Sequence, residues 1–274
     1  MKKHLCLVGI VLLGILINSC TPITITPLPT TSAAAFVSRA DIWRPAMKDT
    51  WQIQFSGDLD TTIEADLYVV DGFEITPEEI ESLHQDGRKV ICYLNAGAWE
   101  DWRPDAPDYP TEVLGEAMEG WPGERWLDIR QLNLLMPLIE TRMDMCQSKG
   151  CDGIDPDNIH GYTQFTGFEL SYNDQIRFNQ FLAEAAHQRG MSIGLKNDLE
   201  QIDDLVEDFD WALNEQCFEY DECDYLAPFI KANKPVFNIE YNLEAEDFCS
   251  RAEEAGFYSQ IKNLELDAWR ITCR

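Results

Sequence analysis

The chain has 274 residues, with 21 Lys and Arg against 49 Asp and Glu, and a formal net charge of −28. So strong a negative charge argues against a surface that binds nucleic acid or an anionic membrane. It agrees with simple solubility and also with a cleft that attracts a cationic ligand.

Residues 1–20 have the layout of an export signal. Two lysines precede an apolar run from Leu5 to Ile17 that is too short for a convincing membrane span. The last four residues also match a bacterial lipobox ending at Cys20, although Asn18 fits that motif imperfectly. A lipid anchor through Cys20 and simple secretion therefore both stay open, and either places the protein outside the cytoplasm.

The segment after the leader is unlike the rest of the chain. Residues 21–35 are rich in Pro, Thr, Ser and Ala and lack an amphipathic period, so they predict a flexible tether. Residues 36–274 contain no internal linker or repeat and predict one folded domain. We expect this domain to act as a monomer.

Eight short apolar runs, each ending in polar residues, predict eight strands. They begin near residues 51, 66, 89, 151, 191, 211, 235 and 257. The clearest helix between them is capped by Thr76, carries Pro77 in its first turn and Glu79 at the capping-box position, and stops at Gly87. Further helices are predicted over residues 132–149, 172–189, 199–208, 223–232 and 245–255.

Apolar strands that alternate with helices indicate a parallel sheet covered on both faces, and eight such units predict an α/β fold, a single (β/α)8 TIM barrel. Only about eight residues separate the first two strands, so an irregular loop is expected there. Residues 96–128, between the third and fourth strands, are aromatic and acidic and predict a long excursion over one barrel mouth. We interpret it as a substrate platform, with Trp121 and Trp126 packing it.

Nine cysteines suit an exported protein, and two of them, Cys6 and Cys20, belong to the leader. The expected disulfides join Cys146 with Cys151, Cys217 with Cys223, and Cys249 with Cys273. Cys92 would then be a free thiol inside the third strand. A zinc site is the alternative, but no CxxC pair or histidine cluster supports it, so neither a metal nor a cofactor is predicted.

Functional side chains in such a barrel sit at the carboxyl ends of the strands. The polar residues at these ends are Asp71, Tyr93, Asn95, Asp155, Asp157, Asn158, Lys196, Asn197, Glu215, Gln216, Glu240, Tyr241 and Lys262. Carboxylates dominate, and no Ser-His-Asp set or glycine-rich phosphate loop competes with them. Glycoside hydrolysis needs one carboxyl group that protonates the leaving oxygen and a second that attacks the sugar carbon or activates water.

The stretch CDGIDPDNIHGY concentrates three of these acids. Asp155 and Asp157 are two residues apart and would share the inward face of the fourth strand, whereas Asp152 is expected to make a turn. Glu215 ends the sixth strand, across the mouth. A calcium-binding loop is the alternative for this stretch, but DPDNIHG lacks an oxygen ligand at its fifth position. For Glu215, the alternative role is a structural ion pair with Lys196.

These motifs resemble glycoside hydrolase family 114, the endo-α-1,4-polygalactosaminidase-like barrels, over roughly residues 51–263. The matching pieces are WQIQFSG, DLYVVDG, VICYLNAGAWEDWRPD, WPGERWLDIR, KGCDGIDPDNIHGY, GLKN and NEQCFEYDEC. The resemblance implies endo-acting, retaining hydrolysis of α-1,4-linked galactosamine polymers. It implies a nucleophile in the fourth-strand group, Asp157 with Asp155 as close second, and Glu215 as acid/base.

Deacetylated galactosamine carries an ammonium group, so an acidic cleft would suit a cationic or partly acetylated amino-sugar polysaccharide. The acids expected to contact it are Asp71, Glu100, Asp101, Asp105 and Glu240, and the rings are Trp99, Trp102 and Tyr241. Further expected contacts are Tyr93, Asn95, Lys196, Asn197 and Gln216. Two alternatives stay open: a surface lipoprotein that binds carbohydrate without cutting it, and a hydrolase of another amino-sugar polymer.

Overall fold

The computed structural model of the protein describes residues 38–273. The export signal, the lipobox at Cys20, the tether and the domain boundary at residue 36 lie outside the described residues. The strands are β1 (Trp51–Gln54), β2 (Leu67–Asp71), β3 (Lys89–Asn95), β4 (Ala98–Glu100), β5 (Leu114–Ala117), β6 (Glu124–Leu127), β7 (Gly153–Asp157), β8 (Ser192–Lys196), β9 (Trp211–Glu215), β10 (Val236–Glu240), β11 (Tyr258–Ile261) and β12 (Ile271–Thr272). The α-helices are α1 (Pro77–Gln85), α2 (Leu132–Lys149), α3 (Tyr172–Gln188), α4 (Ile202–Leu205), α5 (Ala227–Lys231) and α6 (Ala245–Ala255).

The central sheet runs in the order β1-β2-β3-β7-β8-β9-β10-β11, with all these pairs parallel and β12 antiparallel at the end. Its first and last parallel strands lie close together. The indole Nε1 of Trp51 donates to the carbonyl of Tyr258 at 2.9 Å, and Gln260 Nε2 donates to the carbonyl of Trp51 at 2.5 Å. The sheet is therefore curled, and with its helices it forms an α/β barrel-like fold.

Alternate strand residues separate into two hydrophobic layers, as expected for strands buried on both faces. The inner layer includes Trp51, Trp211 and Phe237. The ring of Phe237 packs against both indoles, with its centroid 5.0 Å from that of Trp51 and 5.8 Å from that of Trp211. A Cβ on Gly194 would come within 2.4 Å of the Trp211 ring, so only glycine fits there. Because these rings fill the interior, an open site is expected at the strand ends.

The helical patterns of the sequence are confirmed where caps define them. At α1, Thr76 and Glu79 form the capping box, and α2 covers residues 132–149 before Gly150 adopts φ 103°. The α5 helix is shorter than predicted because Pro228 is tolerated only in a first turn, so residues 223–226 form a 3-10 helix instead. No helix in the described part of the chain is long and apolar enough to span a bilayer.

Two connections differ from the helical ones. Residues 55–66, between β1 and β2, contain turns and bends but no helix or strand, so the irregular loop predicted there is present, although it is longer than the eight or so residues expected. Residues 98–127 contain a three-stranded antiparallel sheet in the order β4-β6-β5, called the small sheet below. A Cβ on Gly97 would lie 1.7 Å from the carbonyl oxygen of Asn158, so the chain entering the small sheet abuts the end of β7.

The disulfides include one correction. Cys217 pairs with Cys223 and Cys249 with Cys273, as predicted. The predicted Cys146–Cys151 pair is wrong: Cys151 pairs with Cys92, and Cys146 is a buried free thiol. Strands β3 and β7 are neighbours, which brings the Cα atoms of Cys92 and Cys151 to 6.0 Å despite 59 residues of separation.

Candidate active site

A cavity of about 460 Å³ opens at the carboxyl ends of the parallel strands. Its walls come from the strand ends, from the small sheet and from the segment after β11. The lining residues are Phe55, Tyr93, Met118, Glu119, Trp121, Glu124, Trp126, Asp157, Asn158, His160, Gln164, Lys196, Asn197, Glu215, Gln216, Tyr241, Leu264, Glu265 and Leu266.

Two acids in this cavity share one lysine. Lys196 is the last residue of β8, which lies between β7 and β9, so Asp157 and Glu215 flank it at the same edge of the sheet. Its Nζ lies 2.9 Å from Asp157 Oδ1 and 3.1 Å from Glu215 Oε2. These two carboxylate oxygens are consequently no more than 6.0 Å apart, the sum of the two contacts. We call Asp157, Lys196 and Glu215 the trio.

The Asp157 carboxylate is held as an anion. It accepts hydrogen bonds from Tyr93 Oη at 3.1 Å, from Lys196 Nζ at 2.9 Å and from the backbone N–H of Asn158 at 2.8 Å. Burial alone would raise the pKa of Asp157, but the charge and hydrogen bond of Lys196 outweigh it, and the pKa lies below its ordinary value. An ionised carboxylate with fixed orientation is suited to attack an electrophilic carbon.

The Glu215 carboxylate is held by different donors. Tyr241 Oη donates to Oε1 at 2.5 Å, and Asn197 Nδ2 donates to Oε2 at 3.3 Å. Burial and the charge of Glu215 raise the pKa of Tyr241, so its hydroxyl keeps its proton and acts as a donor. Asn197 also accepts the backbone N–H of Glu215 at 2.9 Å, which ties the end of β8 to the end of β9.

The three aspartates of the fourth-strand stretch have three different environments. Asp155 is only 1% exposed, and neither carboxylate oxygen accepts a hydrogen bond from a described residue. Burial raises the pKa of Asp155 to about 7, against the opposing charge of Lys196. Asp152 precedes β7 and pairs with Lys89 and His84, each at 2.7 Å, in place of the turn predicted for it. Asp157 alone of the three lines the cavity.

Several predicted substrate contacts have structural partners instead. Arg103 donates to both oxygens of Asp71, at 3.0 and 2.7 Å, and to both oxygens of Glu100, each at 2.8 Å. Arg142 binds both oxygens of Asp105, at 2.7 and 2.9 Å. We call these five residues the buried ion cluster. Glu100 is 1% exposed, so the structure gives it an ion pair in place of the predicted substrate contact.

Other predicted contacts also lie off the cavity lining. Glu240 is fully buried and accepts the backbone N–H of Phe218 at 3.0 Å. Asn95 is fully buried, and its side chain forms hydrogen bonds with Glu124 and Asn158. Trp99 donates its indole N–H to the carbonyl of Ala106 at 3.0 Å. Trp102 is 54% exposed, and the neighbouring Asp101 is exposed too. The sequence shows each charged or aromatic residue but not the partner with which it forms a hydrogen bond or ion pair.

The lining residues that the strand-end argument missed include Glu124 on the small sheet and His160 after β7. Trp121 and Trp126, expected only to pack the excursion, line the cavity as well. Burial raises the pKa of Glu124 to about 7. Trp121, Glu124 and Trp126 all belong to the motif WPGERWLD, which could have indicated this part of the site. Which of its residues face the cavity depends on how β6 pairs with β4 and β5.

Comparison with known proteins adds family and fold. The family model described as "Glycoside-hydrolase family GH114" matches residues 32–274. The crystal structure of Ega3 from Aspergillus fumigatus in complex with galactosamine is 41% identical, with 84% of this chain and 97% of that chain covered and a TM-score of 0.81. The glycoside hydrolase domain of PelA from Pseudomonas aeruginosa is 13% identical, covers 81% and 98% of the two chains at a TM-score of 0.66, and shows the fold alone. Among curated protein sequences, none matches the chain.

Proposed function

The chain belongs to glycoside hydrolase family GH114 and is a glycoside hydrolase, and on that premise we propose that it cleaves internal α-1,4 linkages of galactosamine-containing polymers outside the cytoplasm. One observation carries the proposal: two carboxylates from neighbouring parts of one sheet edge share a lysine in an open cavity. Such a pair is the minimum that glycoside hydrolysis requires.

We assign the nucleophile from the environment of Asp157, and the acid/base role then falls to Glu215, which is protonated in the reactive form of the enzyme. Asp157 attacks the anomeric carbon and forms a glycosyl ester, while Glu215 gives its proton to the leaving glycosidic oxygen. Glu215 then takes a proton from a water molecule that attacks the same carbon, and Asp157 leaves as a carboxylate. Two displacements at one carbon retain its configuration.

The close approach of the two acids agrees with this retaining course. Retaining glycosidases hold their carboxyl groups about 5 to 5.5 Å apart, and inverting ones about 6.5 to 9.5 Å apart to admit a water molecule. The nearest oxygens of Asp157 and Glu215 are no more than 6.0 Å apart, the sum of their contacts to Lys196. Asp155, which lies off the cavity, is a weaker candidate for the nucleophile.

The charge of the cavity supports a cationic amino-sugar substrate. Its lining contains five acids and one lysine, and burial lowers the pKa of His160, so that ring is neutral. The acids are Glu119, Glu124, Asp157, Glu215 and Glu265. Such a lining concentrates ammonium groups, and the Trp121 and Trp126 rings offer faces to sugars. The similar protein Ega3 has been crystallised with galactosamine. We propose that Tyr93, Lys196, Asn197, Gln216 and Tyr241 also contact substrate.

Two further proposals concern fold and location. The hydrogen bonds that join Trp51 to Tyr258 and Gln260 support closure of the eight parallel strands into a (β/α)8 barrel. Three disulfides support a location outside the cytoplasm, since such bonds persist in oxidising compartments. The lipid anchor through Cys20 and the monomeric state remain proposals from the sequence.

The activity is tested with the purified protein and polygalactosamine. We expect short oligosaccharides as products, whereas Asp157→Asn and Glu215→Gln should melt at nearly the parent temperature and lose activity by about 10²- to 10⁴-fold. Glu254→Gln, a change to an exposed acid on α6, is the matched control and should keep full activity. Full activity in both active-site variants would refute the roles, and tight binding without any product would favour the non-catalytic alternative.

A further inference from the structure

Glu124 is held in place by a relay of amides. Its Oε2 accepts the Nδ2 hydrogen of Asn95 at 3.0 Å. The Oδ1 of Asn95 in turn accepts the backbone N–H of Ala98 at 2.9 Å and the Nδ2 hydrogen of Asn158 at 3.1 Å. With its oxygen occupied by two donors, the Asn95 amide must turn its nitrogen toward Glu124. The carboxylate is consequently fixed by the backbone of the small sheet and by the residue that follows Asp157.

Glu124 also lacks a cation. The acids of the buried ion cluster are paired with Arg103 or Arg142, and those of the trio share Lys196. No ion pair within the described part of the chain includes Glu124, and its Oε1 accepts no hydrogen bond there. Yet this residue is only 8% exposed and lines the cavity. A nearly buried carboxylate without a directly paired cation is costly, and a cationic ligand would remove that cost.

The position fits one atom of an amino sugar. In 2-amino sugars, the nitrogen sits on the carbon adjacent to the anomeric carbon that Asp157 would attack. The relay from Glu124 through Asn95 to Asn158 ends next to Asp157, so Glu124 lies on the nucleophile's side of the cavity. A carboxylate there can receive the ammonium hydrogens of the sugar whose bond is being cut.

We propose that Glu124 is the residue that selects a free 2-ammonium over an acetamido group on the sugar at the cleavage point. The inference rests on the proposed function and specifies which group of the substrate is recognised. An acetamido group is uncharged and bulkier, so it would leave Glu124 unpaired in the complex.

The titration of Glu124 agrees with this role. Burial and the charges of Glu100 and Asp157 raise its pKa to about 7, whereas Asn95 and Arg103 act in the opposite direction. An incoming ammonium favours the ionised carboxylate, so ligand binding and ionisation of Glu124 reinforce each other.

The test compares Glu124→Gln with its parent on two ligands. Both proteins carry Glu215→Gln so that no ligand is cut, and calorimetry measures the affinity for a galactosamine trisaccharide and for its fully N-acetylated counterpart. Gln keeps an oxygen that accepts the Asn95 amide, and a thermal melt checks folding. We expect the amine form to bind about 10- to 100-fold more weakly, the range of one charge-assisted contact, and the acetylated form to change little.

Glu112→Gln is the control for loss of a negative charge, since Glu112 is an exposed residue just before β5 and off the cavity lining. It should change neither affinity. Equal weakening for both ligands, no weakening for either, or no preference for the amine form in the parent would overturn the inference. A protein that binds the amine form through Glu124 but cuts no polymer would instead refute the proposed function alone.

Discussion

Two groups of acids lie near one end of this barrel-like fold, and their surroundings give them opposite uses. The buried ion cluster sets three acids against Arg103 and Arg142, with guanidinium forks that satisfy both oxygens of each carboxylate. The trio sets two acids against one lysine and faces an open cavity. The comparison indicates that acids with both oxygens held by guanidinium groups support the structure, whereas acids that face the open cavity are available for chemistry.

The link between the two groups is a strand end. Arg142 donates through Nη1 to the carbonyl of Asn95 at 2.7 Å. The side chain of Asn95 bonds Glu124 and also Asn158, whose backbone N–H donates to Asp157 of the trio. The ion cluster thus supports the wall of the cavity without entering it. Mutations in the ion cluster should therefore change the stability of the fold, whereas mutations in the trio should change activity.

The largest effect on stability is expected from breaking the buried ion cluster. Arg103→Met leaves Asp71 and Glu100 without their shared cation, and removal of one partner from a buried ion pair typically costs about 3 to 5 kcal/mol of unfolding free energy. Urea denaturation measures this loss. Activity per folded molecule should stay within a few-fold of the parent value.

Arg189→Met is the matched control, because Arg189 pairs with the largely exposed Glu140 and Asp144. Such surface pairs contribute about 0 to 1 kcal/mol. If Arg103→Met were no more destabilising than this control, the cluster would not have the structural role assigned to it.

A smaller effect, in pH dependence, is expected from breaking the trio. Lys196 lowers the pKa of Asp157 against the effect of burial, so Asp157 is ionised down to a lower pH than usual. Lys196→Met removes that charge and the pKa of Asp157 rises. The acidic limb of kcat/KM, which reports the free enzyme, should then move to higher pH. The exposed Lys48→Met serves as control, and an unmoved limb in Lys196→Met would contradict the assigned role of Lys196.

The sequence predicted the trio because strand ends obey a general rule. Asp157, Lys196 and Glu215 each end a predicted strand, and the carboxyl ends of parallel strands meet at the same edge of a sheet. The capping box of α1 was likewise visible, since Thr76 and Glu79 interact within one turn.

Long-range pairing could not be read from the sequence in the same way. Asp71 and Arg103 are 32 residues apart, and Cys92 and Cys151 are 59 apart. The disulfide joins two strands that the whole small sheet separates along the chain, and Arg103 follows β4 of that sheet, whose antiparallel register has no strong period in the sequence. Glu124 escaped prediction for the same reason, because its access to the cavity depends on that register.

The most direct test of the account is to trap the ester on its nucleophile. In Glu215→Gln, a galactosaminyl fluoride needs no acid to leave, so the first step should proceed while hydrolysis of the ester is slow. Fragmentation of the labelled peptide by tandem mass spectrometry should then show one added galactosaminyl group on Asp157. An adduct on Asp155, or consumption of the fluoride with inverted product and no adduct, would contradict the two-step mechanism on Asp157.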